Sequence, residues 1–73
     1  MELSYQQLAE IIRDKIKSNE YVFGLALPSE RELAKSFNVS RSLVRSAIEQ
    51  LCAEGILKKY HGKGTYIMLK DID

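Results

Sequence analysis

Two helix-start signals stand eleven residues apart, at Ser29 and Ser40, and each is followed by apolar residues at helical spacing. Ser29-Glu30-Arg31-Glu32 has the form of a capping box, in which the Ser29 hydroxyl accepts from the Glu32 amide and the Glu32 carboxylate reaches back to the Ser29 amide. Behind it Leu33, Ala34 and Phe37 make one apolar face, which predicts a short helix over 29–37. Ser40 restarts the pattern, and Leu43, Val44, Ala47, Ile48, Leu51 and Cys52 predict a helix over 40–54 that Gly55 stops. The joint is only Phe37 to Val39, with Asn38 suited to a left-handed turn and Val39 plugging that turn into the core. Two short helices joined so tightly form a helix-turn-helix unit.

The rest of the chain has to pack around that unit. Leu8, Ile12 and Ile16, widened by Tyr5, Ala9 and Ile11, predict a first helix over 4–19 with Ser4 as its cap. Leu25 to Leu27 is a candidate stub strand, because Pro28 biases the residue before it towards an extended conformation. Residues 56–60 and 65–69 are strand-favouring and flank His61-Gly62-Lys63-Gly64, a glycine-containing turn with a basic tip. The expected fold is α+β: a winged helix-turn-helix with three helices, a small antiparallel sheet and a C-terminal hairpin wing over 56–69. Its 73 residues suffice for one domain, expected over residues 1–73.

Several function classes are excluded on chemistry. The longest apolar run, Tyr66 to Leu69, has four residues against the roughly 20 needed to cross a bilayer, so no membrane partner is expected. The start Met-Glu-Leu-Ser-Tyr-Gln-Gln is unlike a secretory signal, which points to the cytoplasm. Cys52 falls in an apolar stripe and reads as a buried packing thiol; with His61 as the sole histidine, a zinc site lacks ligands. No cofactor is expected, and no nucleophile–base set or carboxylate pair suggests an enzyme. Gly62-Lys63-Gly64-Thr65 lacks the glycine spacing of a phosphate loop and introduces no helix.

Charge is more informative in its distribution than in its sum of +1. Residues 31–63 hold seven Lys and Arg against three Glu, giving +4, whereas the first thirty hold three bases against five acids, giving −2. One anion-facing surface fits that asymmetry. A helix beginning at Ser40 presents Arg41 and Ser42 in its first turn and Arg45 one turn later, about 6 Å further along the axis. An arginine fork can donate two hydrogen bonds to guanine O6 and N7, and the major groove admits one helix. Arg31 is placed to meet a backbone phosphate or a base edge, and Ser29 to donate to phosphate if its capping duty allows. At the wing tip, His61 and Lys63 supply cations while Gly62 and Gly64 let the backbone approach a minor groove. Glu49, one turn beyond Arg45, is either a partner for it or merely a surface residue. Of Lys58 and Lys59, strand alternation aims only one at any given surface. The partner implied is double-stranded DNA. The competing reading is a winged helix that binds a protein. A packing or dimerisation module would need an exposed apolar patch, and the apolar positions look consumed by the core.

The segments Leu27-Pro28-Ser29-Glu30-Arg31-Glu32-Leu33-Ala34, Val39-Ser40-Arg41-Ser42-Leu43-Val44-Arg45, Gly55-Ile56-Leu57 and Gly62-Lys63-Gly64-Thr65-Tyr66-Ile67 closely resemble the DNA-binding domain of the GntR family of bacterial transcription regulators. The resemblance implies operator binding as a dimer on a palindrome, with Arg31, Arg41 and Arg45 contacting DNA and His61, Gly62 and Lys63 entering the minor groove. Ser42 stands where threonine is usual, Asn38 where glycine is frequent, and Leu43 where threonine or valine is frequent. Family members carry a larger C-terminal domain that binds a small effector, so the chain is expected to be a piece of a longer regulator, most plainly a repressor, whose effector-binding domain is absent here.

Overall fold

The computed structural model describes residues 3–68. Three helices, α1 (Tyr5–Lys17), α2 (Glu30–Phe37) and α3 (Arg41–Ala53), precede a hairpin of β1 (Leu57–Tyr60) and β2 (Gly64–Ile67). Leu69 and the tail from Lys70 to Asp73 lie outside the described residues, as does the end of the expected second strand.

Each helix starts on a serine. Ser4 and Ser29 both form full capping boxes, with Gln7 and Glu32 as the reciprocating side chains. Ser40 accepts from the Leu43 amide at 3.1 Å without a reciprocating side chain. A serine cap of this kind contributes about 1 kcal/mol by satisfying an otherwise unpaired amide. The three helices also end alike. Asn19, Asn38 and Gly55 take positive φ of 64°, 57° and 80°. In each case the following amide bonds back five residues: Glu20 to Lys15, Val39 to Ala34 and Ile56 to Leu51. That left-handed exit at Asn19 is why α1 stops at Lys17 rather than continuing to 19.

Asn38 adopts the conformation expected of it, at a position where its side chain gains only partial relief from the left-handed penalty. Asn38→Ala should therefore lower stability by about 1 kcal/mol, while Asn38→Gly should hold it level or raise it. Urea denaturation of the two variants checks this; equal losses would mean that the Asn38 side chain, not its backbone, matters.

The core forms where the helical stripes meet the sheet. Leu8, Ile12 and Ile16 of α1 face Val44, Ala47, Ile48 and Leu51 of α3, with Leu33 of α2 and Leu27, Ile56, Leu57 and Ile67 closing the cluster. Phe37, Val39 and Leu43 are half-buried against it. Cys52, expected to be buried, is half-exposed at the edge of this cluster; burial still pushes its thiol pKa up, away from the thiolate form, with Lys59 opposing. At the far end of α3, Arg13 donates to Glu54 at 2.6 Å and Gln50 to the same carboxylate at 2.7 Å, tying α1 to α3.

The hairpin pairs Leu57 with Ile67 and Tyr60 with Gly64, so only His61-Gly62-Lys63 forms the loop. Gly64 belongs to β2 rather than to the turn, at φ 114°, a region closed to other residues. The stub strand is reduced to a bridge between Ala26 and Tyr66, seconded by the Leu27 amide donating to Thr65 at 2.8 Å. That bridge lays the segment entering α2 against the wing. Strand alternation separates the two lysines. Lys58 lies over the Tyr60 ring on the outer face, where Tyr60 meets Tyr66 edge-on, while Lys59 turns towards α2.

Candidate nucleic-acid interface

The start of α2, the first turns of α3 and the wing meet at one place, and a carboxylate sits at their centre. Glu30, the first residue of α2, accepts from Arg45 Nη2 at 3.1 Å and Nε at 3.5 Å. Arg41 Nη2 lies 4.0 Å from the same carboxylate and Lys59 Nζ 3.8 Å from it. The Arg45 hydrogen bonds hold the Glu30 carboxyl below the usual carboxylate range against the opposing effect of its partial burial, with the charges of Arg45, Lys59 and Arg41 adding to the same end. Glu30 is thus ionised at neutral pH and neutralises about one of the three cations around it.

This is a correction to the sequence reading in two respects. The partner of Arg45 is Glu30, fifteen residues earlier, and not Glu49. The fold also puts Glu30, one of the five acids in the first thirty residues, among the bases. Lys59, given little weight in the sequence, belongs to the same cluster. No local signal marks either residue; only the packing of α2 across α3 and β1 brings them together.

The remaining candidate residues fall around this centre. Ser40 and Ser42, with hydroxyls 3.3 Å apart, occupy the N-terminus of α3 beside Arg41, and both are exposed. Ser29 is engaged as a cap, its oxygen accepting from Glu32 at 3.1 Å, which leaves the hydroxyl proton available to an acceptor. Arg31 follows Glu30 in the first turn of α2 and is exposed. Between α2 and the wing runs an open cleft of about 470 Å³ lined by Ser29, Glu30, Lys59, His61, Gly62 and Lys63, among others. His61, Gly62 and Lys63 all sit at the hairpin tip, with the Lys63 amide donating to Tyr60 at 2.9 Å to close the loop. The two arginines and Lys59 therefore gather at Glu30, which with Lys59 also lines the open cleft that reaches the basic wing tip. An array of exposed cations along a protruding helix end and a basic hairpin is suited to phosphates and base edges.

The other face of the hairpin corrects a second expectation. The apolar residues are not all used by the core: Phe23, Leu25 and Met68 are 51%, 61% and 46% exposed. Phe23 and Met68 border a shallow groove with Tyr60 and Tyr66. Among the described residues no helix is long and apolar enough to cross a membrane, and no group of His, Cys, Asp or Glu could hold a metal.

A capped helix pair, a third helix behind it and a hairpin beside the recognition surface define a winged helix-turn-helix. The family description "Bacterial regulatory proteins, gntR family" matches residues 4–67, and the chain belongs to that family as one of its DNA-binding domains. It is 42% identical over 64 residues to the uncharacterised transcriptional regulator YdfD of Bacillus subtilis, covering 88% of this chain and 13% of that protein. It is 41% identical over 63 residues to the transcriptional repressor NagR of Bacillus subtilis, covering 86% and 26%. Among solved structures, the AraR DNA-binding domain in complex with operator ORR3 superposes with a TM-score of 0.83 at 34% identity, over 92% of this chain and 81% of that one. The chain thus spans about a quarter or less of the length of these two curated relatives.

Proposed function

We propose that this domain reads a specific double-stranded operator with the N-terminal half of α3 in the major groove and the wing tip along the adjacent minor groove. Arg41 and Arg45 are the base-reading residues, with Ser42 between them. Arg31, Ser29 and Ser40 hold backbone phosphates, and His61, Gly62 and Lys63 bring the wing to the duplex. The observation that carries the reading is the joining of Arg41, Arg45 and Lys59 around one centre beside the wing cleft. The superposition on a DNA-binding domain solved in complex with its operator supports double-stranded DNA as the partner.

A domain this small makes few phosphate contacts, so useful affinity calls for two copies on a palindromic operator. By analogy with NagR, a transcriptional repressor, the domain serves repression of transcription in the cytoplasm; the family resemblance adds control by a small effector bound to a separate domain. Selection from a pool of random duplexes at low and at physiological salt tests the reading: enrichment of an inverted repeat supports it, and its half-site spacing reports the pairing geometry. Binding that vanishes in salt without enrichment would sink it.

Lys63 is expected to act differently from the arginines. Lys63→Ala should weaken binding to operator and to scrambled duplex alike and make the salt slope shallower by about 0.9, the contribution of one phosphate contact. Measuring affinity on both duplexes over a salt series decides the point; a loss confined to the operator would make Lys63 a base reader.

The exposed Phe23 and Met68, bordering a groove with Tyr60 and Tyr66, favour a second reading in which the outer wing face meets a protein. A domain acting only in that way would show little salt-dependent affinity for DNA.

A further inference from the structure

Arginines that seek guanine also seek phosphate, and a surface with several free guanidinium groups would bind any duplex. A base reader therefore has to be kept from the backbone while its geometry is kept right for the base. The position of Glu30 meets both needs, beyond what a negative charge at the start of a helix would require. Its side chain is only 23% exposed although its neighbours Arg41 and Arg45 are 56% and 52% exposed.

The contact geometry is selective about which part of Arg45 it occupies. Both hydrogen bonds to Glu30 come from the side edge of the guanidinium, Nε and Nη2. Arginine presents five donors in a rigid planar fork, so gripping the side edge leaves the Nη1–Nη2 end to make a two-point contact. Guanine offers two acceptors, N7 and O6, at a matching spacing. A phosphate would have to compete with Glu30 for the same fork, because an isolated anion gains most by taking both the charge and the side edge.

We propose that Glu30 is a specificity-determining positioning residue: an internal counter-ion that fixes the Arg45 fork for base contact and, with Arg41 and Lys59 held near it, suppresses binding to backbone phosphate on unrelated DNA. This rests on the reading that Arg41 and Arg45 meet DNA. It assigns to an acid in the recognition surface the opposite sign of effect from the bases: removing it strengthens binding to the wrong sequences.

The test uses Glu30→Gln and Glu30→Asp, with Arg45→Ala as a control. Affinities are measured over a salt series for the duplex most enriched from the random pool and for a scrambled duplex of the same composition. Glu30→Gln raises the formal net charge from +1 to +2. One cation so released to a phosphate should tighten the scrambled duplex about fivefold at physiological salt and steepen its salt slope by about 0.9. The enriched duplex should gain nothing, so the preference between the two falls at least about fivefold. Glu30→Asp keeps the negative charge at the start of α2 but is one methylene too short to reach the Arg45 side edge. It should also lose preference, and because it preserves the helix-end interaction it carries the test if the glutamine variant melts early. An unchanged preference in Glu30→Gln overturns the proposal, as does a wild-type preference in Glu30→Asp, which would reduce Glu30 to a helix-end charge. If Arg45→Ala leaves both affinities unchanged, or the pool shows no enrichment, the underlying reading of the surface fails and the proposal with it. A normal loss in Arg45→Ala beside an inert Glu30→Gln leaves that reading intact and rejects Glu30 alone.

Discussion

Arg45→Ala should cost about 1–3 kcal/mol of discrimination between the operator and a duplex altered at the contacted base pair, roughly a 5- to 150-fold loss. The reason is geometric as well as electrostatic. Arg45 stands one turn into α3, its fork held by Glu30 at 3.1 Å, so little side-chain freedom is lost on docking. Arg41 is nearer the helix start and lies 4.0 Å from the same carboxylate, hence less restrained. Its alanine variant should lose discrimination too, at a different base pair and towards the lower end of the range. Competition binding with single-base-pair operator variants separates the two, because a base reader loses its preference at one position only. Uniform weakening across every variant would assign Arg45 to phosphate. Undiminished binding by Arg45→Ala would remove α3 from the interface.

Leu51→Ala should cost about 2–5 kcal/mol of folding stability, the larger of the two effects. Leu51 is fully buried on α3, against the stripe of α1, and its truncation removes three carbons, two of them methyls, from the core. A domain of 73 residues has a total stability of about 4–11 kcal/mol at typical values per residue, so this one truncation consumes much of it. Leu25→Ala, at a residue 61% exposed, should change stability by no more than about 0.5 kcal/mol. Leu51→Met keeps volume and should cost less than about 1.5 kcal/mol. Urea midpoints of the three variants test the ordering, and operator binding by Leu51→Ala should fall only as far as its folded fraction does. A midpoint for Leu51→Ala equal to that of Leu25→Ala would contradict the assigned core.

The two predictions rest on features that differ in how far they could be foreseen. Leu51 belongs to a stripe whose 3.6-residue period is a local property of the chain, and its burial follows once the stripe has something to pack on. The placement of Arg41 and Arg45 on one face is equally local, since residues four apart lie on the same side of a helix. The grip on Arg45 is not local. Glu49 stands at the right spacing along the same helix to be a partner or mere surface, and Glu30 takes the place because α2 crosses α3 with its first turn beside the first turns of α3. Helix crossing angles depend on how side chains interdigitate across both surfaces, which no window of sequence contains.

Termini and turns were legible because their chemistry is carried by one or two residues. Ser29 with Glu32, Ser40, Asn38 and Gly55 each announce a helix end through a hydroxyl or a tolerance of positive φ, and each is found at such an end. Asn19 uses the same device at the last residue of the expected helix over 4–19, where the apolar period gives out and the chain turns. The hairpin was legible from its glycines, although the assignment of Gly64 to a strand depends on the pairing with Tyr60.

What the amino-acid order determined by itself is the set of parts: three capped helices with their apolar faces, a basic hairpin, and a pair of arginines one turn apart. These follow from interactions within a few residues, which the order of residues states directly. What only the tertiary structure decided is the company each part keeps. It put an acid among the bases at Glu30, sent Lys59 towards that centre while Lys58 faced away, and left Phe23, Leu25 and Met68 in solvent. Those outcomes depend on packing between segments distant in the chain, where burying the shared core sets the relative orientation of elements and the charged side chains settle afterwards into whatever neighbours that orientation supplies.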